Sequence, residues 1–252
     1  MTQMVFIHGP GAGGCAESFV YQLEHYPGSL APTLPGHPEG AACASVERYA
    51  EWLRGWLWSQ GRRKGLVLVG YTLGGCIALQ YALDYPDEVK ALVLMTTGMR
   101  PRERAPGALE LRSKAAADPE SYLQWLELMR HQFLFMEPAL AERLVECHRR
   151  VGPLSQYRDF VAIDQFDVRD RIHTLEPPLL LIRGVDDPAK TPEYELEIHQ
   201  AVAGSRYVKL TGCGHFPFAE RPAEVNRAID EFLSLRGEKR PLPMGKRREY
   251  EA

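Results

Sequence analysis

The stretch Gly65-Leu66-Val67-Leu68-Val69-Gly70-Tyr71-Thr72-Leu73-Gly74-Gly75 decides how the rest of the chain is read. Its apolar run, Leu66 to Val69, has the character of a strand buried on both faces. Gly70 interrupts it. From Leu73 the pattern turns helical, with Ile77, Leu79, Tyr81 and Leu83 before a stop at Tyr85-Pro86. Between strand and helix, Gly70-Tyr71-Thr72-Leu73-Gly74 predicts a sharp, strained turn that presents one hydroxyl above the end of a sheet. Small residues two positions either side of Thr72 let strand and helix close on one another.

Further apolar runs lie on both sides of this stretch. Met4 to Ile7 reads as a strand ending in His8-Gly9-Pro10-Gly11-Ala12-Gly13-Gly14, with a helix expected from Ala16 to His25. A strand near Ser29 to Thr33 follows, then a helix from Ser45 to Ser59 with Ser45 as N-cap. Val46, Tyr49, Leu53 and Trp56 share one face of that helix, most simply as core. Strands are read at Ala91–Met95, Leu179–Ile182 and Tyr207–Leu210, and helices at Pro192–Ala203 and Arg221–Leu235. Six strand candidates separated by helices predict an α/β fold with a mostly parallel, doubly wound sheet. Residues 98–171 hold no strong strand run and break at Pro106, Pro119, Pro138 and Pro153. They are expected to form a helical cap inserted into a core made of residues 1–97 and 172–236. The basic, proline-containing tail, 237–252, is expected to be flexible.

Composition narrows the function classes. At 252 residues, 45% hydrophobic and 25% charged, the chain can bury a sizeable core. A net charge of -3 gives no reason to expect a nucleic-acid or anionic-membrane partner. No apolar run approaches the ~18 residues of a membrane span. Met1-Thr2-Gln3 lead straight into a strand, which leaves no room for a signal peptide and points to a cytoplasmic protein. Cys15, Cys43, Cys76, Cys147 and Cys213 are odd in number, scattered and without C-x-x-C spacing. They read as reduced thiols rather than a disulfide frame or zinc site, and neither a metal nor another cofactor is expected.

The turn at Thr72 is the frame G-x-S-x-G with threonine in the serine position. In chain order it is followed by Arg183-Gly184-Val185-Asp186-Asp187-Pro188 and Thr211-Gly212-Cys213-Gly214-His215-Phe216-Pro217. This set resembles the α/β-hydrolase superfamily, esterase- and lipase-like members in particular, from about Gln3 to Leu235. The resemblance implies that frame's nucleophile elbow and a triad in the order hydroxyl, acid, histidine. Thr72 would be the nucleophile, His215 the general base and Asp187 its orienting acid. Asp187 is preferred to Asp186 because the family's acid closes a G-x-x-D frame begun by Gly184. Family members usually begin with two strands before the His-Gly strand, so a shortened version of the fold is expected. The strand near Leu30 would then lie at an edge or be covered by a partner.

The glycine loop has two readings. Gly9, Gly11 and Gly14 satisfy G-x-G-x-x-G between a strand and a helix, the dinucleotide fingerprint. The next strand ends without an acidic residue for a ribose hydroxyl, which favours instead the superfamily's oxyanion loop. Its usual donor position is Pro10, which has no N–H, so the role passes to Gly11 beside Leu73 N–H. Leu34-Pro35-Gly36-His37 resembles the loop after the family's next strand, with His37 expected to pack rather than to catalyse.

Tyr71, Trp125, Met129, Phe133 and Phe216 are candidate substrate-binding residues, with Phe135 and Met136 nearby; core packing is the competing account of each aromatic or methionine. Arg100, Arg102 and Arg104 are read as solvated, with anion recognition open. The expected partner is a small-molecule acyl substrate, with a homodimer as a further candidate. Hydrolysis of a small or medium carboxylic ester leads, against a non-catalytic ligand-binding protein and a C–C hydrolase or lyase using the same triad. Threonine strains the account, because a β-branched side chain tolerates the elbow backbone less well than serine. Its methyl can crowd the acyl carbon or hold the hydroxyl in a rotamer pointing away from His215. A slow threonine enzyme, a member that lost catalysis and an engineered replacement all remain open.

Overall fold

A computed structural model describes residues 3–11, 14–101 and 108–234. In chain order the elements are β1 (Gln3–Ile7), α1 (Val20–His25), α2 (Val46–Ser59), β2 (Leu66–Tyr71), α3 (Leu73–Asp84) and β3 (Val89–Met95). Four helices follow: α4 (Ala108–Ala117), α5 (Pro119–Arg130), α6 (Pro138–Val151) and α7 (Pro153–Gln165). The chain then returns to β4 (Leu179–Gly184), α8 (Glu193–Ala201), β5 (Arg206–Leu210), α9 (Pro217–Glu220) and α10 (Pro222–Ser234). Arg102, Arg104, Pro106, Leu235 and the tail from 237 lie outside the described residues.

The strands form one parallel sheet in the order β1-β2-β3-β4-β5. β2 and β4 are buried along their whole length, as their uninterrupted apolar sequences require. Side-chain alternation divides the core into two layers. Leu66, Leu68, Leu92 and Leu94 face α2, α3 and α8 through Tyr49, Leu53, Ile77 and Ile198. Val67, Val69, Val93 and Met95 face the other side, with Phe19, Phe218, Val225 and Ile229. The sheet is therefore doubly wound, with helices on both faces.

The sixth strand candidate contributes one bridge. Leu30 N–H donates to Met4 O at 2.9 Å and Phe6 N–H donates to Leu30 O at 2.8 Å. Continuing this parallel ladder requires an N–H at residue 32, which is proline. Helix boundaries shift for similarly local reasons. Ala16–Phe19 is a 3-10 turn leading into α1; the expected last helix is α10, opening at Pro222, and it is preceded by the short helix α9, which the sequence reading did not include. Ser45 caps α2 by accepting from Arg48 N–H at 3.4 Å.

The four helices between β3 and β4 attach to both core layers. Met136, Leu140 and Leu144 join one, while Ala162, Phe166 and Val168 join the other. A buried polar contact reinforces this attachment. Asp159 on α7 accepts from Tyr49 Oη at 2.7 Å and lies 2.7 Å from His37 Nε2.

Candidate active site

Thr72 occupies the N-cap of α3 with φ 46° and ψ -110°, a backbone region that β-branched residues seldom adopt. The strain has a clear packing origin. A Cβ on Gly70 would meet Gly74 O at 2.3 Å, and one on Gly74 would meet Ile7 O at 2.0 Å. The strand, turn and helix are thus as close as backbones can be, and the side chain between them is pushed above the sheet. Such strain is worth about 1–3 kcal/mol.

Asp187 and His215 come from the loops after β4 and β5. Asp187 Oδ2 and Oδ1 lie 2.9 and 3.0 Å from His215 Nδ1. Asp187 Oδ1 also accepts from the N–H groups of Ala189 and Lys190 at 2.8 and 3.2 Å. Buried Arg183 braces the loop by donating to Lys190 O at 2.5 Å and Thr191 O at 3.3 Å. Burial opposes ionisation of Asp187, yet the hydrogen bond and charge of His215, with the Ala189 N–H, hold its carboxyl below the usual range. Asp186 points elsewhere, accepting from Cys213 N–H at 3.3 Å.

Thr72 and His215 line one cavity of about 300 Å³ at the C-terminal end of the strands. Its position is the usual one for a ligand site in an open parallel sheet. The hydroxyl itself, however, is buried without a hydrogen-bond partner among the described residues. It faces the glycine loop, for a Cβ on Gly9 would sit 2.1 Å from Thr72 Oγ1. His215 Nδ1 is engaged by Asp187, leaving Nε2 as the ring nitrogen available to a hydroxyl. The structure thus joins acid and histidine directly and brings the threonine to their cavity without closing its bond to the ring.

Pro10 and Gly11 form another part of the wall, and Gly11 takes φ +66°, a conformation open to glycine. Tyr71, Trp125, Met129 and Phe216 also line the cavity. Phe133 does not; it packs edge-on behind Phe216 at 5.1 Å. Phe135 is exposed and Met136 is core, in the layer of Phe19 and Leu144. Arg100 reaches the cavity while paired with Glu197 at 2.7 Å.

Several lining residues escaped the sequence reading. Thr96 follows β3 at φ 51°, and its carbonyl accepts from Lys190 Nζ at 2.9 Å. His148 on α6 and Gln156 on α7 complete the polar lining beside Gly11. A helical signal for His148 was present: Leu140, Leu144, His148 and Val151 recur at spacings of four, four and three and are all buried. The adjacent basic pair, Arg149 and Arg150, masked it. As to metals, Cys15, Glu17 and Cys147 bring ligand atoms within 4.8 Å of one another. Arg150 already donates to Cys147 Sγ at 3.0 Å and to Glu17 Oε2 at 3.2 Å, supplying the positive charge there.

Comparison with known proteins agrees with this architecture. A family model described as the alpha/beta hydrolase family matches residues 4–228. A 2-hydroxy-6-oxo-6-phenylhexa-2,4-dienoate hydrolase of Comamonas testosteroni is 27% identical over 181 residues, which are 67% of this chain and 63% of that relative. Among solved structures, a thermophilic esterase from Thermogutta terrifontis superposes with TM-score 0.80 at 24% identity, covering 93% of this chain and 90% of that one. An enol-lactonase from Burkholderia xenovorans LB400 gives TM-score 0.80 at 19% identity, covering 93% and 92%. At these identities the structural likeness speaks to the fold. With the family match spanning nearly all the described residues, this chain belongs to the alpha/beta hydrolase family.

Proposed function

We propose that the chain hydrolyses a small or medium carboxylic ester through Thr72, His215 and Asp187. The observation that carries this reading is the Asp187–His215 pair at 2.9 Å, whose histidine lines the same cavity as Thr72. Thr72 Oγ1 would attack the acyl carbon after rotating from Gly9 toward the ring. His215 Nε2 would take its proton and return it to the leaving alcohol, with Asp187 stabilising the imidazolium between the two steps. Leu73 N–H, at the positive end of α3, and Gly11 N–H would meet the oxyanion. A water deprotonated by His215 Nε2 would then attack the acyl carbon, breaking its bond to Thr72 Oγ1 and releasing the acid as the proton returns to the threonine. The helices of residues 98–171 would act as a cap that keeps bulk solvent from the site.

The test follows from the threonine. Thr72→Ser is expected to raise kcat/KM for phenyl butyrate roughly ten- to a hundredfold, as ~1–3 kcal/mol of strain predicts. His215→Ala in either background is expected to reduce turnover to the uncatalysed rate. Identical rates in all the variants would refute the assignment.

A second reading, a ligand-binding descendant with weakened catalysis, is favoured by the unpartnered Thr72 hydroxyl. Saturable binding of uncleaved ester, with no turnover even in Thr72→Ser, distinguishes it. The name of the Comamonas relative makes 2-hydroxy-6-oxo-6-phenylhexa-2,4-dienoate the second compound to assay.

A further inference from the structure

His148, like Thr72, lines the cavity with its side-chain polar atoms unpaired among the described residues, and it leaves two such atoms where Thr72 leaves one. The residue is 1% exposed, yet neither ring nitrogen has a hydrogen-bond partner among the described residues. Buried polar atoms are paired in the great majority of native proteins, and an orphan costs about 1–3 kcal/mol. Here the ring cannot relieve that cost by moving with a loose backbone. His148 O accepts from Tyr122 Oη at 2.8 Å and from Gln156 Nε2 at 3.2 Å, and the ring stacks on Tyr122 at an interplanar angle of 17°. Its Cε1–Nδ1 edge lies against the loop after β1: a Cβ on Gly11 would meet those atoms at 3.0 and 3.1 Å.

Burial drives the His148 pKa down to about 3, so the ring is neutral at ordinary pH and offers one donor and one acceptor. A neutral imidazole makes no ion pair with a carboxylate, but it matches a hydroxyl or a carbonyl. The cavity also presents Trp125, Met129, Phe160 and Ile163, apolar surface suited to hydrocarbon, with the Arg112 guanidinium stacked over Trp125 and Phe160.

We infer that His148 is a specificity-determining residue that binds a neutral hydroxyl or carbonyl group carried on the acyl chain one or two carbons from the scissile carbon. The inference rests on the ester-hydrolase reading for the word acyl; the binding site itself does not. The contact with Gly11 sets the distance, since Gly11 is the residue assigned to the oxyanion and a substituent reaching His148 must lie close to it. An unsubstituted alkyl chain leaves both nitrogens unpaired when bound, and discrimination against a ligand that leaves buried polar groups unsatisfied is stronger than that for a missing methylene.

A pair of uncleavable ligands tests this directly: benzyl propyl ketone and its β-hydroxy derivative, which mimic phenyl butyrate and phenyl β-hydroxybutyrate. Binding to the full chain is followed by calorimetry or by the fluorescence of Trp125 in the cavity wall. The hydroxy ketone is expected to bind roughly ten- to a hundredfold tighter, a ratio that collapses toward one in His148→Leu and is partly restored in His148→Gln. His148→Leu is expected to keep or raise the melting temperature, because it removes an unsatisfied buried group; a scaffold role for the ring predicts the opposite. Equal binding of the two ketones to the wild-type chain, or an unchanged ratio in His148→Leu, overturns the inference. Absence of ester turnover in both the wild type and Thr72→Ser would defeat the catalytic reading instead, and the ketone ratio would still decide the role of His148.

Discussion

Two buried histidines sit where the four inserted helices meet the sheet, and they are opposites. His37 is clamped: Nε2 lies 2.7 Å from Asp159, and Nδ1 lies 3.1–3.2 Å from the carbonyls of Pro35 and Leu34. His148 is bare. Burial disfavours the charged form of both. For His37 the hydrogen bond and charge of Asp159, with the two carbonyls, overcome that penalty and raise its pKa; for His148 nothing does, and its pKa falls to about 3. Equal burial therefore gives one ring a structural partner and leaves the other in need of a ligand. The first fastens the inserted helices to the core beside the site; the second furnishes the site.

Breaking the clamp should give the largest effect. Asp159→Ala removes the acceptor of Tyr49 Oη and the counter-charge of His37 together, deep in the interface. Below about pH 6.5, where His37 is charged, removing one partner of a buried ion pair costs about 3–5 kcal/mol, so a large fall in the urea midpoint is expected there. Asp159→Asn should cost less, since its amide oxygen can still accept from Tyr49. A loss below about 1 kcal/mol in Asp159→Ala would show that the pair does not hold the interface, and the contrast with His148 would fail.

Acidification separates the two rings by sign. His37 has a folded pKa above its unfolded value, so its contribution is fully present below about pH 6.5 and is lost as pH rises through the folded pKa. His148 has a depressed folded pKa. The unfolded chain takes up a proton below about pH 6.5 that the folded chain refuses until about pH 3, so stability falls as pH drops across that window. The slope it contributes approaches about 1.4 kcal/mol per pH unit well inside the window. His148→Leu should therefore flatten the acid limb of a plot of stability against pH between 4 and 6, bounds chosen inside that window. An unaltered acid limb would mean that the ring finds a partner in solution.

The same contrast explains what was legible in the sequence. Apolar runs such as Leu66–Val69 and Leu179–Ile182 exposed the buried strands, because nothing but a two-sided core tolerates them. Gly70 and Gly74 marked the turn at Thr72, since each close approach excludes a Cβ. The order of Thr72, Asp187 and His215 was equally plain, for these residues lie in loops directly after strands. Leu30 was over-read as a strand because pattern counts side chains, whereas Pro32 withholds a backbone donor. His148 and Asp159 were missed for a different reason. Each is one polar residue on an amphipathic helix, and only the three-dimensional surroundings give it meaning: His37 beside Asp159, and no hydrogen-bond partner among the described residues for the His148 ring. The Thr72 hydroxyl belongs with these: its position was readable, but that Oγ1 faces the space beside Gly9 was not.

The smallest effect isolates the contact that places His148 beside the site. Gly11 and Gly28 both have positive φ, 66° and 82°, but a Cβ at Gly28 would meet nothing within 4 Å, whereas one at Gly11 strikes the His148 ring. Alanine at either position bears the left-handed backbone cost of roughly 1–2 kcal/mol. Gly28→Ala measures that cost alone. The excess in Gly11→Ala then reports how firmly the ring is held, because a ring free to give way would absorb a Cβ at 3.0 Å by shifting a few tenths of an ångström. A double-mutant cycle with His148→Leu completes the measurement, and a coupling above about 0.5 kcal/mol is expected for residues in such contact. Additive effects would place the ring out of reach of the loop that carries Gly11, and with it the acyl-chain recognition assigned to His148.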